Sequence, residues 1–74
     1  MKIIVTDHAR KRLRDLRQGG ISLSDIEAAA AELPGSIPAA TRFRGFIAQS
    51  GRVFDLVVKD TEGGRLVITI IGKP

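Results

Sequence analysis

The sequence predicts an α+β fold, in which a two-helix hairpin packs on one face of an antiparallel three-strand meander and an N-terminal strand precedes the helices. Three observations predict it. A short apolar run opens the chain, apolar residues then recur at helical spacing over residues 7–33, and from residue 41 onward apolar and polar residues alternate. The chain has 74 residues, enough for a single domain over 1–74 and too few for a second core.

The chain opens with a predicted strand over residues 2–6. Thr6 or Asp7 can then cap a helix, because short oxygen-bearing side chains accept hydrogen bonds from the first free backbone amides of a helix. The helix is predicted to run to about Gln18, where two consecutive glycines stop it.

A second helix is predicted over residues 22–33. Ser22 and Asp25 have the spacing of a capping box, and one apolar stripe follows them. Pro34 and Gly35 end the helix, so the two helices form a hairpin that covers the sheet.

Three strands are predicted near 42–49, 53–59 and 65–71, because the apolar period changes to two. A tight turn at residues 50–51 and a five-residue loop at 60–64 fix their register, which places one wholly apolar face toward the helices. The core-facing pairs predicted from this register are Phe43–Val58, Gly45–Leu56, Ile47–Phe54, Val58–Leu66, Leu56–Ile68 and Phe54–Ile70.

The opposite face of the sheet is predicted to be cationic at one end and apolar at the other. No third layer covers it in so short a chain, so we expect a groove, a dimer contact or a docking surface; coverage by loops and the first strand is the alternative. The predicted rows on this face are Arg42–Lys59–Arg65, Arg44–Val57–Val67, Phe46–Asp55–Thr69 and Ala48–Val53–Ile71.

The net charge is +4, with basic residues concentrated toward both ends of the chain and acidic residues in the middle. Most of the cations are arginines, whose planar guanidinium group matches phosphate oxygens. This pattern favours a polyanionic partner. The alternative is that the arginines only keep a small domain soluble.

Composition also excludes several classes of protein. The chain has no cysteine and one histidine, which removes disulfide frameworks, thiolate zinc sites and thiol catalysis, so we expect neither a metal nor another cofactor. The N-terminal apolar run is too short for a signal peptide or a membrane span. We therefore expect a cytoplasmic protein that does not bind membranes.

His8 and Arg12 lie one turn apart on the first predicted helix and share a face. The helix N-terminus and the neighbouring cations disfavour a protonated imidazole, so His8 is predicted to be a neutral base. Such a base could remove a 2′-hydroxyl proton during RNA cleavage while an arginine stabilises the phosphorane. A histidine at a helix start with no catalytic role is the alternative.

A second basic row on this helix contains Arg10, Arg14 and Arg17, which either contact phosphates or form an ordinary solvated face. On the sheet, Phe46 is predicted to be free to stack on a base, whereas alternation sends Phe43 into the core.

Three short motifs carry a family resemblance. They are H-A-x-x-R-L at residues 8–13, G-I-S followed by D-I within residues 20–26, and L-V-I-T-I at residues 66–70. Over nearly its whole length the chain resembles a short uncharacterised (domain-of-unknown-function) family with an HAxxR-type opening, related to RelE/ParE-like toxins and the barnase–EndoU–colicin–RelE class of ribonuclease folds. The resemblance implies a strand, two helices and an antiparallel sheet.

Carried over by position, the resemblance matches His8, Arg12 and Thr69, with Arg17 in place of the family's basic residue before the G-I-S segment. It implies a toxin-type RNA-binding domain and a metal-independent endoribonuclease of a toxin–antitoxin system. The partners implied are RNA, including ribosome-bound mRNA, and an antitoxin segment over the Val53–Ile71 end of the sheet; a homodimer is a further option.

In the leading hypothesis, His8 is the base, Arg12 and Arg44 stabilise the phosphate, and Thr69 orients a phosphate or hydroxyl. The alternatives are a non-catalytic binding module, either a ParE-like inhibitor of a protein target or a small nucleic-acid-binding dimer, and a structural domain; whether the chain is an enzyme stays open. The residues predicted to bind RNA are Arg10, Arg14, Arg17, Arg42, Phe46, Lys59 and Arg65.

Overall fold

The computed structural model describes residues 1–15 and 18–73. In this part of the chain the elements follow the order β1 (Ile3–Val5), α1 (Asp7–Leu13), α2 (Leu23–Glu32), β2 (Thr41–Ile47), β3 (Val53–Thr61) and β4 (Gly64–Gly72). The predicted α+β class and the helical hairpin are confirmed.

The sheet departs from the predicted three-strand antiparallel meander, because it has four strands in the order β1-β4-β3-β2 and is mixed. β2, β3 and β4 are antiparallel neighbours, whereas β1 pairs in parallel with β4, with Ile4 opposite Leu66. The Arg65 amide donates to the Lys2 carbonyl at 2.8 Å, and the Thr6 amide donates to the Val67 carbonyl at 3.1 Å. These bonds hold β1 in the sheet and leave β2 as the opposite edge.

Both helices begin at capping residues. The Thr6 hydroxyl accepts the Ala9 amide at 3.1 Å, and at α2 the predicted capping box is present, with Ser22 and Asp25 bonding each other reciprocally. α1 is shorter than predicted: it ends at Leu13, and residues 16 and 17 lie outside the described part of the chain.

The core lies between the helices and one face of the sheet. α2 contributes Ile26 and Ala30, and α1 contributes Ala9, all fully buried. These small and branched residues let the helices approach the strands closely. The fully buried strand residues of the same cluster are Phe54, Leu56, Val58, Val67 and Ile70.

Two register shifts, together with two turns that differ from those predicted, make the predicted strand pairs wrong. On β2, the shift lies between Phe43 and Phe46, where Gly45 has a φ of +84°, a backbone conformation that favours glycine. On β4, the extra residue is Ile68, between the pairs Val57–Thr69 and Val58–Val67. The last hairpin is also tighter than predicted, with Thr61 opposite Gly64.

The observed pairs therefore differ from the predicted ones by one or two positions. Phe43 lies opposite Leu56, and Ile47 lies opposite Val53 on the face away from the helices. Leu56 in turn lies opposite Ile70. The remaining corrected pairs are Phe46–Phe54, Phe54–Gly72 and Val58–Val67.

The face of the sheet away from the helices, called here the open face, has no second layer among the described residues. Its aliphatic members are assigned by pairing and by strand alternation from buried neighbours. They are Ile4, Ile47, Val53, Val57, Leu66 and Ile71.

Candidate nucleic-acid interface

α1 carries more exposed basic residues than any other described helix or strand. Ala9 is fully buried and anchors the helix, whereas His8, Arg10 and Lys11 are exposed, as is Arg14 at the C-terminal cap. The basic side chains near the C-terminal end also interact favourably with the helix dipole. Lys11 was not among the residues predicted to bind RNA.

His8 and Arg12 are one turn apart on α1, as predicted. Arg12 is half-buried, and its Nε donates to the carbonyl of Ile70 at 3.4 Å, while the Thr6 hydroxyl donates to the carbonyl of Ile68 at 3.0 Å. α1 therefore lies along the edge of β4 beside Thr69, the residue between these two acceptors. Three of the four predicted catalytic residues lie on elements that contact each other.

Arg44 does not join this group. It lies on β2, the edge strand farthest from α1, and two strand spacings separate β2 from β4. At about 4.8 Å per spacing, the two backbones are about 10 Å apart. The predicted pairing of Arg44 with Arg12 at one phosphate is therefore not supported by the strand order.

Arg42 is engaged by a buried carboxylate. The Nε and Nη2 atoms of Arg42 donate to Oδ2 of Asp55 at 3.0 and 2.8 Å, and the Gly45 amide donates to Oδ1 at 3.0 Å. The Nζ atom of Lys73 lies 3.4 Å from Oδ2. Burial raises the pKa of Asp55, but these donors outweigh burial and hold the pKa below its usual value.

Asp55 was predicted to lie opposite Thr69, and that pairing is wrong: Asp55 lies opposite Ile71 and is fully buried. It fixes the glycine bulge of β2 through the Gly45 amide. An acidic residue between Phe54 and Leu56, two core residues, was the available signal, since a buried charge requires partners.

Arg65 is fully buried on the helix side of the sheet, so its predicted place in an exposed cationic row is wrong. The row does not exist, because Arg42 pairs with Val57, while Lys59 pairs with Leu66. The pairing partner of Arg65 in β3 is Asp60. Of the three cations in the predicted row, Arg42 and Lys59 are exposed, and Lys59 alone has no described carboxylate partner.

Phe46 was predicted to stack on a base, and its predicted orientation is wrong. The bulge at Gly45 turns Phe46 toward the helix side, where its ring lies 5.6 Å from that of Phe54, and the two planes are inclined by 32°. Phe43 is half-buried on the same side, opposite Leu56. All three phenylalanines of the chain thus lie away from the open face, which carries no aromatic ring.

Of the predicted row Arg10–Arg14–Arg17, the structure describes Arg10, which lies on α1, and Arg14, which follows its last residue. Arg10 is exposed and its Nε donates to the Val5 carbonyl at 3.3 Å, Arg14 is the C-terminal cap, and Arg17 lies outside the described residues. Arg10 and Arg14 remain at the same end of the molecule as His8.

One pocket of about 220 Å³ opens between α2 and β2. Its polar lining includes Asp25, whose Oδ1 accepts the Gln49 amide at 3.1 Å, so this carboxylate ties the start of α2 to the β2–β3 turn. Hydrogen bonding from the Ser22 amide lowers the pKa of Asp25. The lining residues are Ser24, Asp25, Ala28, Ala29, Glu32, Phe46, Ile47 and Gln49.

Within residues 1–15 and 18–73, no group of three or more His, Cys, Asp or Glu side chains is arranged to hold a metal ion. Neither helix in this part of the chain has the length and apolar character needed to cross a membrane. Comparison with family models, with curated proteins and with solved structures gave no match.

Proposed function

We propose that this chain is a cytoplasmic RNA-binding domain whose contact surface is the exposed side of α1. The observation that carries the proposal is the concentration of His8, Arg10, Lys11 and Arg14 on one seven-residue helix and its cap, all exposed to solvent. Phosphate contacts from such a surface supply most of the sequence-independent affinity for a nucleic acid.

The environments of Arg65 and Arg42 favour α1 over the sheet as the RNA-binding surface. Arg65 is buried, and Arg42 already pairs with Asp55. A single-stranded RNA site on a sheet would also need exposed rings, whereas Phe46 packs against Phe54. The binding surface proposed here is therefore centred on α1.

The RelE/ParE-like family relation belongs to the same proposal. It is supported by the three sequence motifs and by the arrangement of an N-terminal strand, a helical hairpin and an antiparallel β2–β3–β4 unit. Under this relation the domain acts as a toxin on RNA or ribosome-bound mRNA, and an antitoxin restrains it. Inhibition of a protein target through the same fold is the competing proposal.

RNA cleavage without a metal is a second candidate function, favoured by the placement of exposed His8 one turn from Arg12, whose Nε donates to the carbonyl of Ile70, the residue after Thr69. The His8 imidazole would take the 2′-hydroxyl proton as a bond forms between the 2′ oxygen and phosphorus. The bond from phosphorus to the 5′ oxygen then breaks, and that oxygen takes a proton from water. Arg12 would stabilise the added negative charge.

Fluorescence anisotropy with a labelled single-stranded RNA of about 16 nucleotides tests binding. The double variant Lys11→Glu/Arg14→Glu should bind at least about tenfold more weakly at low salt. The single variant Lys11→Glu is compared with Lys59→Glu, which makes the same charge reversal at an exposed position on the sheet. Equal loss of affinity in Lys59→Glu and Lys11→Glu would contradict an interface centred on α1.

A gel assay of the same RNA in EDTA tests cleavage. His8→Ala should abolish product and keep most of the RNA affinity, because the imidazole is assigned to proton transfer and the cations Arg10, Lys11 and Arg14 remain on the surface. Undiminished cleavage by His8→Ala would remove this residue from the mechanism, and absence of cleavage by the unaltered protein would leave binding as its function.

A further inference from the structure

We infer that the pocket between α2 and β2 binds a short aliphatic diamine of the polyamine class. None of the residues that line this pocket belongs to α1, so the inference goes beyond RNA binding. The ligand is identified by three properties of the pocket: its volume, its apolar middle and its two separated carboxylates.

One face of α2 forms a wall of the pocket. Asp25, Ala28, Ala29 and Glu32 are spaced at i, i+3, i+4 and i+7, which places them in a row along the helix. At about 1.5 Å of rise per residue, the backbones of Asp25 and Glu32 are about 10 Å apart. The wall therefore has a carboxylate near each end, and between them two alanines whose small side chains leave room for a ligand.

The opposite wall comes from β2 and is apolar. Phe46 is half-buried, and its ring lies 5.6 Å from the ring of Phe54, which holds it in place. Ile47, the next residue of the strand, is 72% exposed. Together with the two alanines of α2, these side chains offer an apolar surface to the methylene groups of a ligand.

The pocket is negative although the chain as a whole is positive. No basic residue lines it, and α2 itself contains three acidic residues and no basic one. The amides of Ser22 and Gln49 donate to Asp25 at 2.9 and 3.1 Å, which fixes this carboxylate and lowers its pKa. Glu32 is exposed and has no described partner. Each carboxylate can accept further hydrogen bonds, so the pocket complements a cation.

The volume and the separation of the carboxylates together favour a diamine. A volume of about 220 Å³ lies below the range of about 300–1,000 Å³ that is usual for drug-sized ligands, and it suits a small chain molecule. With C–C bonds of about 1.5 Å, an aliphatic diamine of four to six carbons holds its ammonium groups about 6–9 Å apart. Hydrogen bonds of about 2.8 Å then extend its reach to both carboxylates.

Cadaverine is the probe, and pentylamine is the matched control, since it has the same carbon chain with one ammonium group, as a lysine side chain has. Pentanediol replaces both ammonium groups by hydroxyls. In ¹H–¹⁵N correlation spectra at constant pH and ionic strength, cadaverine should shift the amides of Ala28, Ala29 and Gln49. Pentylamine should bind at least about threefold more weakly, and pentanediol should produce no shifts.

Three variants locate the binding site. Glu32→Gln removes one carboxylate from the pocket and should reduce the affinity for cadaverine to that for pentylamine. Glu27→Gln removes the same charge from an exposed position of α2 outside the pocket, and should change the affinity by less than about twofold. Ala28→Leu fills the pocket without a change of charge and should abolish the shifts. Dispersed amide spectra show that the variants fold.

The inference is overturned by any of four results: no shifts up to about 10 mM cadaverine, equal binding of cadaverine and pentylamine, equal loss of affinity in Glu32→Gln and Glu27→Gln, or shifts confined to residues outside the pocket. Equal binding of the two amines would assign the pocket to single ammonium groups, such as lysine side chains of another protein. Lys11→Glu/Arg14→Glu should leave cadaverine binding unchanged, so failure of this inference and failure of RNA binding are read separately.

Discussion

The Nε atom of Arg65 donates to Oδ1 of Asp60 at 2.7 Å, and its Nη2 atom donates to Oδ2 at 3.1 Å, across the β3–β4 hairpin. Asp60 is also bonded in both directions to Ile37, since its Oδ2 accepts the Ile37 amide and its own amide donates to the Ile37 carbonyl. One ion pair thus joins the last hairpin to the connection between α2 and β2.

The same guanidinium closes the end of α2. Nη1 donates to the carbonyls of Ala30 at 2.8 Å and Leu33 at 2.7 Å, and Nη2 donates to that of Gly35 at 2.9 Å. The last turn of α2 has no basic residue of its own and ends at Glu32. Arg65 therefore supplies both the hydrogen-bond donors and the positive charge that a helix C-terminus favours.

Removing the guanidinium of Arg65 should lower the free energy of unfolding more than replacing any exposed charged residue. Arg65→Ala leaves the carboxylate and three carbonyls without their donor, and we expect a loss of about 3–5 kcal/mol in the free energy of unfolding. Arg65→Lys keeps the charge but lacks the planar set of donors, so its loss should be smaller. Urea denaturation measures both; a loss in Arg65→Ala no larger than in Lys59→Ala would contradict this role.

Acid should weaken this ion pair. Hydrogen bonding from Arg65, with help from the Ile37 amide, lowers the pKa of Asp60 below its usual value. A carboxyl with a lower pKa in the folded state stabilises the protein above the unfolded-state pKa of about 3.9, and this contribution is lost as the pH falls through the folded-state value.

Asp60→Asn should therefore be less stable than the unaltered protein near neutral pH, and the difference should shrink below about pH 4. Chemical denaturation at about pH 7, 5 and 3 gives the three values. Asp25 and Asp55, whose pKa values are also lowered, remain in both proteins and cancel in the difference. A stability difference that is constant over this range would show that the ionisation of Asp60 contributes nothing.

Substitutions at two glycines separate the effect of backbone strain from the effect of a steric clash. Gly45 and Gly64 both have positive φ, +84° and +140°, but a Cβ on Gly45 would meet nothing within 4 Å. A Cβ on Gly64 would lie 2.6 Å from the Lys2 carbonyl oxygen, where β1 joins β4. Gly45→Ala thus introduces backbone strain alone.

We expect Gly45→Ala to lower stability by about 1–2 kcal/mol, and Gly64→Ala to lower it further because β1 must move. Thermal or urea unfolding ranks the two variants. Hydrogen exchange should also increase at the amides of Arg65 and Thr6 in Gly64→Ala alone, since these amides bond β1 to β4. The reverse ranking would contradict the close approach at Gly64.

The positions of the helices and strands could be predicted because they depend on residues close together in the sequence. Ser22 and Asp25 form the predicted capping box, and the three strands after residue 41 lie near their predicted positions. The parallel position of β1 was not predicted, because pairing with β4 depends on contacts between residues more than sixty positions apart.

The candidate site was harder to predict because side-chain direction depends on register. One extra residue at Gly45 turned Phe46 toward the helix side, and a second at Ile68, with the tighter hairpin, moved Arg65 there. Strict alternation cannot reveal either shift. Gly45 inside a strand pattern was a readable warning of a bulge, whereas Ile68 offered none.

The salt dependence of RNA binding distinguishes α1 residues that contact phosphates from residues that only raise the net charge. Each phosphate contact releases counterions, so the slope of the logarithm of affinity against the logarithm of salt concentration should fall by about 1 for each contacting cation removed. Lys11→Gln and Arg14→Gln should each produce this change, since both side chains are exposed on the proposed surface. Lys59→Gln removes the same charge from the open face and should leave the slope unchanged. Anisotropy titrations at several salt concentrations give the slopes, and equal slopes for the three variants and the unaltered protein would mean that these α1 side chains do not contact RNA phosphates.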